Sequence, residues 1–336
     1  MNIAIVGATG NVGRKIIEIL EKKQINIENL FLLASKNSEG KKINYNGNEH
    51  IVTDLEKFDF SSVKIAFFAA GSEVAEKWAH VAAEKTIVID NSKYFRKDPD
   101  IPLIVPEVNS KKLSDVKNKN IIANANCSVI PVVVALKPLH DLYNINRIVA
   151  STYQSVSGAG KSAMDELLSQ TEDYFQNKEI DSKNFTKQIA FNAIPHIDSF
   201  LENGYTKEEQ KTTDEIKKIL DKKIKVTSTC VRIPVLVSHC ISANVEFNKK
   251  CDLDEIRKVL STSPGCKVID EHQDGGYITP VEAEDKFETF ISRIRLDESR
   301  ENTINLWIVS DNLVKGAALN AVQIAESLIT NDFYGR

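Results

Sequence analysis

Gly7-Ala8-Thr9-Gly10-Asn11-Val12-Gly13 follows a short apolar run, Asn2–Val6, and opens a segment whose apolar residues recur at helical spacing. In such a turn the first glycine permits a tight bend, the second lets a phosphate approach the backbone, and the third allows close packing of the helix. The amino terminus of that helix then stabilises a pyrophosphate. Because strand, turn and helix agree, the stretch predicts a dinucleotide-binding domain.

Strands and helices are predicted to alternate after this turn. Apolar runs at Leu30–Ala34, Lys64–Ala70 and Thr86–Asp90 predict strands. The intervening segment Ser72–Glu84 predicts a helix. Short connections between alternating elements indicate a parallel sheet with helices on both faces. We therefore expect a Rossmann-like, doubly wound α/β domain at residues 1–126.

The second half of the chain has longer strands. They are predicted at Arg147–Val156, Lys225–Arg232, Ser238–Phe247, Glu288–Leu296 and Thr303–Ser310, with helices near Ala159–Gln176, Thr212–Leu220 and Asp252–Leu260. This pattern indicates an α+β domain with a mostly antiparallel sheet at residues 127–311. The last apolar helix, Lys315–Leu328, is expected to pack back onto the first domain, which residues 312–336 complete. The polar stretches Lys41–Asn48 and Gln176–Lys187 predict surface loops.

Composition excludes several classes of function. The chain of 336 residues has ordinary globular composition, and its net charge of −4 gives no reason to expect nucleic acid or an anionic membrane as a partner. Five dispersed cysteines suit a reducing compartment rather than a disulfide framework, and no residue spacing suggests a metal site. No apolar stretch approaches the roughly 20 residues that span a bilayer, and no signal peptide is recognisable, so we expect a cytoplasmic protein.

Asn126-Cys127-Ser128 lies between a strand-like run that ends at Ala123 and an apolar helix-like run, Val129–Leu139. This placement points the thiol at the amino terminus of a helix, where unpaired N–H groups and the helix dipole stabilise negative charge. The thiolate is the nucleophilic form of cysteine. Together with a nucleotide-binding fold, Cys127 predicts an oxidoreductase that works through a thioester.

A thiol nucleophile needs a base within hydrogen-bond reach. Among the six histidines, His239 is best placed, because it follows Arg232 by seven residues on β-like segments, with Pro234 forcing a bend or an edge position between them. The two side chains can then share one cavity as a base and an anion fork. The alternatives are a surface arginine with a structural histidine, and His196 as the base.

Four other residues are candidate ligands. Gln154 ends a strand-like run at a polar, glycine-rich turn, which can close over a ligand or simply cap a helix. Glu208 and Lys211 are one helical turn apart, and Arg96 follows a predicted strand. By themselves these charges indicate a surface ion pair and a solvated arginine.

The end of the second predicted strand bears on the choice of nicotinamide. NAD-binding domains usually place an acidic residue there to bind the ribose hydroxyls. This chain has Ser35, Lys36, Asn37 and Ser38 instead, and Lys36 with its small polar neighbours is able to bind a 2′-phosphate. The sequence therefore favours NADP, the alternative being that Lys36 is a solvated surface lysine.

Taken together and in order, these motifs resemble those of the aspartate-β-semialdehyde dehydrogenase family over essentially the whole chain. The matching segments are Gly7–Gly13, Asp90–Ser92 with Phe95 and Arg96, Val105–Asn109, Asn126–Ser128, Thr152–Gly160, Ile194–Asp198, Glu208–Lys211, Cys230–Pro234 with His239, and Ser310–Leu313 before Lys315–Ala318. Two positions depart from the family's common pattern. Ala125 stands where proline often precedes Asn-Cys, and Asn37 stands where arginine is frequent.

The resemblance implies a reaction and a role for each of these residues. It implies NADPH-dependent reduction of L-aspartyl-4-phosphate to L-aspartate-4-semialdehyde, in lysine, threonine and methionine biosynthesis, by a homodimer whose substrate domains are in contact. The implied roles are Cys127 as thioester nucleophile, His239 as acid/base and Gln154 as the residue that positions the substrate. The implied substrate ligands are Arg232 for the α-carboxylate, Glu208 for the amino group, and Arg96, Asn126 and Lys211 for the phosphate. The implied cofactor contacts are Thr9, Gly10, Asn11, Val12, Ser157, Gly158 and Asn312.

Two rival interpretations stay open from the sequence. Another acyl-phosphate reductase of the same architecture, such as N-acetyl-γ-glutamyl-phosphate reductase, shares the nucleotide fold and the thiol. The Glu208 and Lys211 pair and the spacing from Arg232 to His239 favour the aspartyl enzyme. A non-catalytic NADP-binding protein with a regulatory or scaffolding role is the second rival. Loss of the thiol is the feature expected of it, and Cys127 is present.

Overall fold

The glycine turn follows the first strand of an eight-stranded sheet. The structure, a computed structural model, describes residues 1–330. The strands of this sheet are β1 (Asn2–Val6), β2 (Asn29–Ala34), β3 (Lys42–Tyr45), β4 (Asn48–Asp54), β5 (Ile65–Phe68), β6 (Ile87–Asp90), β7 (Leu103–Ile104) and β8 (Ile121–Asn124), in the spatial order β3-β4-β2-β1-β5-β6-β8-β7. Neighbouring strands are parallel except β3 and β4. The predicted doubly wound, mostly parallel sheet is confirmed.

The nucleotide turn depends on the absence of side chains at two of its glycines. The first helices are α1 (Asn11–Lys22), α2 (Ser72–Ala83) and α3 (Pro106–Asn109). Gly7 has a φ of 86°, in the left-handed region that favours glycine, and a Cβ there would lie 2.7 Å from the Ala69 backbone. A Cβ on Gly13 would lie 2.2 Å from the carbonyl oxygen of Gly7. The turn therefore closes because neither position carries a side chain.

The lysine-rich stretch Lys41–Asn48 contains strand β3 and the turn that leads into strand β4. The surface loop predicted there is therefore wrong. Ile43 and Tyr45 are buried and alternate with polar neighbours, which is the period of a strand. Asn46 and Gly47 have φ values of 49° and 75°, as a two-residue hairpin turn requires. The Asn-Gly pair carries a hairpin signal that the charged composition of the stretch obscures.

Residues 126–316 form a second unit around a six-stranded sheet. Its strands are β9 (Ile145–Gln154), β10 (Lys225–Arg232), β11 (His239–Phe247), β12 (Cys266–Val268), β13 (Thr289–Leu296) and β14 (Thr303–Ser310), in the order β10-β9-β11-β14-β13-β12. Its helices are α4 (Val129–Tyr143), α5 (Lys161–Phe175), α6 (Lys207–Ile219), α7 (Leu253–Thr262) and α8 (Pro280–Ala283). The pairs β9–β11, β11–β14 and β13–β14 are antiparallel, which confirms the mostly antiparallel sheet.

The strand order in this unit brings the predicted catalytic side chains to the same end of three neighbouring strands. β9 and β10 are parallel and end side by side at Gln154 and Arg232, while β11 is antiparallel to β9 and begins at His239. Pro234 follows the edge strand β10, where a missing backbone donor is tolerated. Gln154 is therefore a neighbour of Arg232 and His239 in the sheet, although many tens of residues separate it from them in the sequence.

Helix α6 begins earlier than the predicted start at Thr212. Thr206 accepts the amide of Glu209, and the Glu209 carboxylate in return accepts the amide of Thr206. This reciprocal capping box satisfies two backbone donors and fixes the start of the helix at Lys207. Glu208 consequently lies in the first turn of α6, with its side chain buried.

Hydrogen bonds explain where the chain divides. The first unit comprises residues 1–125 and those from 317 onward, so Asn126 and residues 312–316 belong to the second unit. Asn126 donates to Glu208 in that unit, and Asn312 accepts the amide of Ser238. The chain then continues as α9 (Leu319–Thr330), which contacts α1, α3 and β6 in the first unit. Of the predicted segment 312–336, residues 331–336 lie outside the described residues. Within residues 1–330 no helix is both long and apolar enough to cross a bilayer.

Candidate active site

Cys127 lies in the turn before Ser128, the N-cap of α4. Asn126 shapes this turn: its Oδ1 accepts the Ser128 amide at 2.8 Å, and its carbonyl oxygen accepts the Val129 amide at 2.9 Å. Gly316 lies against the thiol residue, since a Cβ on it would come within 3.0 Å of the Cys127 Cβ. The neighbours of Cys127 thus hold its half-buried side chain in one place.

The imidazole of His239 faces the sulfur, with Nε2 3.3 Å from Cys127 Sγ. His239 opens β11 and is fully buried. Burial, and after it the positive charge of Arg232, lowers the pKa of His239 from 6.5 to about 3, against smaller opposing effects of Glu208 and the Ser238 backbone. The ring is therefore neutral near neutral pH.

Glu208 is the centre of a buried polar cluster. Its Oε1 accepts hydrogen bonds from Asn126 Nδ2 at 3.0 Å and Gln154 Nε2 at 3.3 Å. Lys211 Nζ lies 2.6 Å from its Oε2 and 3.0 Å from Asp198. Burial acts to raise the pKa of Glu208, but Lys211 and the amide donors outweigh it and hold that pKa below its usual value. Burial likewise acts to lower the pKa of Lys211, and the two carboxylates raise it instead. Both side chains are charged.

Arg232 supplies a buried positive charge beside this cluster. It ends β10, in register with Gln154, and its Nη1 donates to the carbonyl oxygen of Ser155 at 2.6 Å. Burial lowers the pKa of Arg232, and its electrostatic interactions with Cys127, Glu208 and Cys230 oppose that shift. A guanidinium stays protonated in proteins, so this side chain can bind a carboxylate with two parallel hydrogen bonds.

The turn after β9 brings backbone to the same place. A Cβ on Gly158 would lie 3.2 Å from Arg232 Nη1 and 3.4 Å from the His239 ring. Asn312 Nδ2 donates to Ser157 Oγ at 2.9 Å in the same unit. The predicted cofactor contacts Ser157, Gly158 and Asn312 therefore lie around His239.

A cleft of about 770 Å³ opens at the carboxyl ends of β1 and β2 in the first unit. The predicted cofactor residues that line it are Gly7, Thr9, Gly10, Lys36 and Asn37. The other predicted cofactor residues of this unit are Asn11, Val12 and Gly13, which begin α1, and Ser38, whose hydroxyl accepts from Lys41. The side-chain-free turn and this cleft fit a dinucleotide, because its phosphates need close approach to backbone N–H groups.

Arg96 belongs to the first unit, in the segment after β6. Its Nη2 donates to the carbonyl oxygen of Asn91 at 3.0 Å. The preceding turn is fixed by Asp90, which accepts the amide and the hydroxyl of Ser92 at 3.1 and 2.6 Å. Arg96 thus follows an ordered turn at the carboxyl end of a parallel strand.

The alternative base His196 and two other thiols have different surroundings from the Cys127 and His239 pair. His196, the alternative base, stacks on Phe200 with ring centroids 4.4 Å apart. Cys230 and Cys240 are buried thiols whose pKa burial raises to about 12, which makes them poor nucleophiles. Among residues 1–330, no group of three potential metal ligands comes together.

Three residues that the sequence analysis does not name also contribute to the site. Ser155 reaches His239 Nδ1 with both its amide nitrogen and its Oγ, each at 3.1 Å. Glu215 accepts the amide of Asn126 at 2.7 Å, and Gly316 packs against the thiol residue. Ser155 and Gly316 lie inside two of the family-like motifs, which could have pointed to them. Glu215 lies two helical turns after Glu208 on α6, so helical spacing could have placed it on the same face of the helix.

Comparisons with known proteins agree along the whole chain. Residues 2–116 match the semialdehyde dehydrogenase NAD binding domain, and residues 136–315 match the semialdehyde dehydrogenase dimerisation domain. The aspartate-semialdehyde dehydrogenases of Rickettsia bellii and Aquifex aeolicus are each 49% identical to this chain, over 98% and 97% of it and 97% of each relative. The crystal structure of aspartate semialdehyde dehydrogenase II from Vibrio cholerae complexed with ASA superposes with a TM-score of 0.97 at 46% identity, covering 99% of each chain.

Proposed function

Because the chain belongs to the aspartate-semialdehyde dehydrogenase family, we propose that Cys127 carries the acyl group of the substrate as a thioester. The chain is an aspartate-semialdehyde dehydrogenase, an oxidoreductase of aspartate-family amino-acid biosynthesis. The 3.3 Å separation of Cys127 Sγ and His239 Nε2 carries the proposal. It pairs the half-buried thiol with an ionisable ring beside the guanidinium of Arg232.

In the proposed reaction the Cys127 sulfur attacks the acyl carbon of L-aspartyl-4-phosphate. A carbon–sulfur bond forms, the bond between the acyl carbon and the bridging phosphate oxygen breaks, and inorganic phosphate leaves. Reduction of the thioester gives a thiohemiacetal, whose collapse releases L-aspartate-4-semialdehyde and restores the sulfur. His239 is the proposed acid/base residue at the sulfur. The covalent route replaces one difficult displacement with two easier steps.

The charges around the sulfur complement those of the substrate. Arg232 is proposed to bind the α-carboxylate through its planar fork, and Glu208 to bind the α-amino group. Gln154, which contacts Glu208, is proposed to orient the substrate between them. The proposed phosphate ligands are Arg96, Asn126 and Lys211. Burial of Arg232 and Glu208 supports these assignments, because buried charges interact strongly with a complementary ligand.

NADP is the proposed occupant of the cleft in the first unit. When bound, its reduced form supplies the hydride. Lys36 lies in the cleft, where its charge suits a 2′-phosphate. Asp54 and Glu56 also line the cleft, but Asp54 accepts the amide of Glu56, and the Glu56 carboxylate pairs with Lys77 at 2.9 Å. These contacts give the two acids partners other than a ribose hydroxyl, which supports NADP over NAD.

A cytoplasmic homodimer is also proposed. The match to a dimerisation domain over residues 136–315 supports the assembly, and sedimentation velocity measures it directly. The five cysteines lie within residues 1–330 and form no disulfide there, which is compatible with a reducing compartment. A sedimentation coefficient of a monomer across the working concentration range would contradict the dimer.

An assay in the phosphorolytic direction tests the proposed function. The enzyme is given L-aspartate semialdehyde, inorganic phosphate and NADP or NAD, and formation of the reduced nicotinamide is followed. We expect phosphate-dependent turnover that is faster with NADP. Higher turnover on N-acetyl-L-glutamate semialdehyde would assign a different acyl-phosphate reductase activity. Cofactor binding without turnover on any semialdehyde would contradict an enzymatic role.

A further inference from the structure

Both ring nitrogens of His239 have defined neighbours in the second unit. Nε2 faces Cys127 Sγ at 3.3 Å, whereas Nδ1 lies 3.1 Å from the amide nitrogen of Ser155 and 3.1 Å from its Oγ. His239 and Ser155 are both fully buried. Buried polar groups satisfy one another rather than water, so these contacts decide how the ring is protonated.

The Ser155 amide determines which ring nitrogen carries the proton. A backbone N–H only donates, so Nδ1 must present a lone pair to it. A proton on Nδ1 would face the amide hydrogen and leave that buried donor unsatisfied, which is unfavourable. A neutral imidazole has one N–H, and here it therefore lies on Nε2 and points at the sulfur.

A chain of side-chain hydrogen bonds leads to the same nitrogen. The Ser238 amide donates to Asn312 Oδ1 at 2.8 Å, which orients the side-chain amide so that Nδ2 donates to Ser157 Oγ at 2.9 Å. Ser157 Oγ lies 3.1 Å from Ser155 Oγ. In one arrangement the Ser157 hydroxyl donates a hydrogen bond to Ser155 Oγ, and the Ser155 hydroxyl donates one to His239 Nδ1. The two hydroxyls also lie 3.1 and 3.2 Å from Asn312 Oδ1. In either arrangement the Ser155 amide requires an unprotonated Nδ1.

We propose that Ser155, oriented by Ser157 and Asn312, is a positioning residue that holds His239 as the neutral tautomer with its proton on Nε2. This rests on the proposed function, in which Cys127 is the nucleophile. His239 then donates a hydrogen bond to the sulfur and does not remove its proton. Under this proposal His239 acts by donating a hydrogen bond to the sulfur and not by transferring a proton.

Burial supports the same state of the ring. Desolvation, followed by the charge of Arg232, lowers the pKa of His239 to about 3, so a second proton does not bind near neutral pH. Glu208 and the Ser238 backbone act in the opposite direction and are outweighed. Of Arg232 and His239, Arg232 therefore brings a positive charge to this region and His239 contributes a neutral N–H.

The reaction balances without a proton leaving His239: the Cys127 thiol gives its proton to solvent before the attack, and hydride added to the thioester carbon gives the thiohemiacetal anion. When the thiolate bonds to the acyl carbon, the carbonyl oxygen receives an electron pair and returns it as the bond to the phosphate oxygen breaks. When the thiohemiacetal anion collapses, the oxygen pair re-forms the carbonyl and the carbon–sulfur pair returns to Cys127 as thiolate. The phosphate that leaves takes its proton from solvent. In each state the Nε2–H stabilises negative charge through a hydrogen bond.

¹⁵N NMR of the histidine-labelled enzyme measures the tautomer directly. We expect a pyrrole-like Nε2 and a pyridine-like Nδ1 for His239, identified by the signals lost in His239→Gln. A pyrrole-like Nδ1, or two protonated nitrogens, overturns the proposal. The spectrum does not depend on turnover, so a wrong tautomer leaves the Cys127 thioester standing, and failure to form a thioester leaves the tautomer standing.

Ser155→Ala tests the positioning role, because it removes the hydroxyl and keeps the amide. Because the amide still faces Nδ1, we expect the Nε2-protonated tautomer to remain, with the Nδ1 signal shifted by loss of the hydroxyl contact, kcat lowered about tenfold and little change in KM. Ser162→Ala is the matched control, since the Ser162 hydroxyl is exposed and bonds only to Asn184 among the described residues. Unchanged His239 signals in Ser155→Ala would overturn the positioning role.

Glutamine and leucine at position 239 separate a donor from a base. Glutamine places an N–H donor near the position of Nε2 but accepts no proton there, whereas leucine does neither. We expect His239→Gln to turn over about tenfold faster than His239→Leu, or more. Equal turnover in the two variants would overturn the donor role. Circular dichroism of both confirms that the fold is retained.

Discussion

The nucleotide turn and the thiol cluster are built from different parts of the chain. The turn is one continuous stretch, Gly7–Gly13, in which backbone must be left bare: a Cβ on Gly13 would lie 2.2 Å from a carbonyl oxygen. The cluster gathers side chains from distant segments, and Glu208 alone contacts Asn126, Gln154 and Lys211. The first site is sensitive to added atoms, and the second to removed ones.

This contrast has consequences for how substitutions combine. Members of the thiol cluster share hydrogen bonds and charges, so the effects of removing two of them are expected to be non-additive. A change in the glycine turn and a change in the cluster fall in different units of the chain and are expected to add. The predictions below run from the largest expected effect to the smallest.

Cys127→Ser is expected to have the largest effect. A serine hydroxyl is barely ionised near neutral pH, so turnover should fall well beyond the roughly 10²–10⁴-fold loss typical of a missing acid–base group. Phosphorolytic turnover of L-aspartate semialdehyde measures this. Cys251→Ser is the matched control and should keep its activity, because Cys251 is half-buried and burial raises its pKa. Near-normal turnover of Cys127→Ser would exclude the thioester route.

His239→Ala should lower turnover by roughly 10²–10³-fold, the loss typical of removing one donor that stabilises developing negative charge. The ring lies 3.3 Å from the sulfur and is the group proposed to stabilise it. His196→Ala is the control: that ring stacks on Phe200, and its loss should leave turnover nearly unchanged. If the two variants lost activity equally, the choice of His239 over His196 would have no support.

Gly13→Ala probes the backbone-built site. The new Cβ meets the backbone of Gly7 and Ala8, and overpacking of this kind costs about 1–3 kcal/mol. Expressed in cofactor binding, that is about 5- to 150-fold in the KM for NADP, with kcat for the semialdehyde less affected. Gly10→Ala is the comparison, because a Cβ there has 3.4 Å of clearance to the Gly7 oxygen. A stronger effect of Gly10→Ala on thermal stability than of Gly13→Ala would contradict the steric argument.

Arg232→Lys has the smallest expected effect. Lysine keeps the charge but loses the planar fork that binds a carboxylate with two hydrogen bonds. We expect the KM for L-aspartate semialdehyde to rise about tenfold. Arg300→Lys serves as the control, because Arg300 is exposed and pairs with Glu246 on the surface. An unchanged KM in Arg232→Lys would remove this side chain from the substrate site.

The two sites also differ in how far the sequence predicts them. The glycine turn and the Asn126-Cys127-Ser128 junction are local patterns, and their strands and helices lie where the sequence places them. The spacing of Arg232 and His239 allows them to share a cavity but does not require it, and their approach to Gln154 depends on the strand order β10-β9-β11, which no local pattern contains. Ser155 was not foreseen because its role depends on an amide direction set by that same arrangement.

Other differences have local physical causes. The hairpin at Lys41–Asn48 is hidden by its charge, although the Asn46-Gly47 turn and the buried Ile43 are strand-like signals. The early start of α6 depends on the reciprocal bonds of Thr206 and Glu209, which lie before the first apolar residue of that helix. Composition was a weaker guide than turn and cap chemistry in both places.

Mass spectrometry of the acid-quenched enzyme tests the central claim most directly. The enzyme is mixed with L-aspartate semialdehyde and NADP in the absence of phosphate, quenched, digested and mapped. The account predicts an aspartyl group in thioester linkage on the peptide that contains Cys127, formed together with reduced cofactor and released when phosphate is added before the quench. Reduced cofactor without an acyl group on Cys127, or an acyl group on another residue, would contradict it.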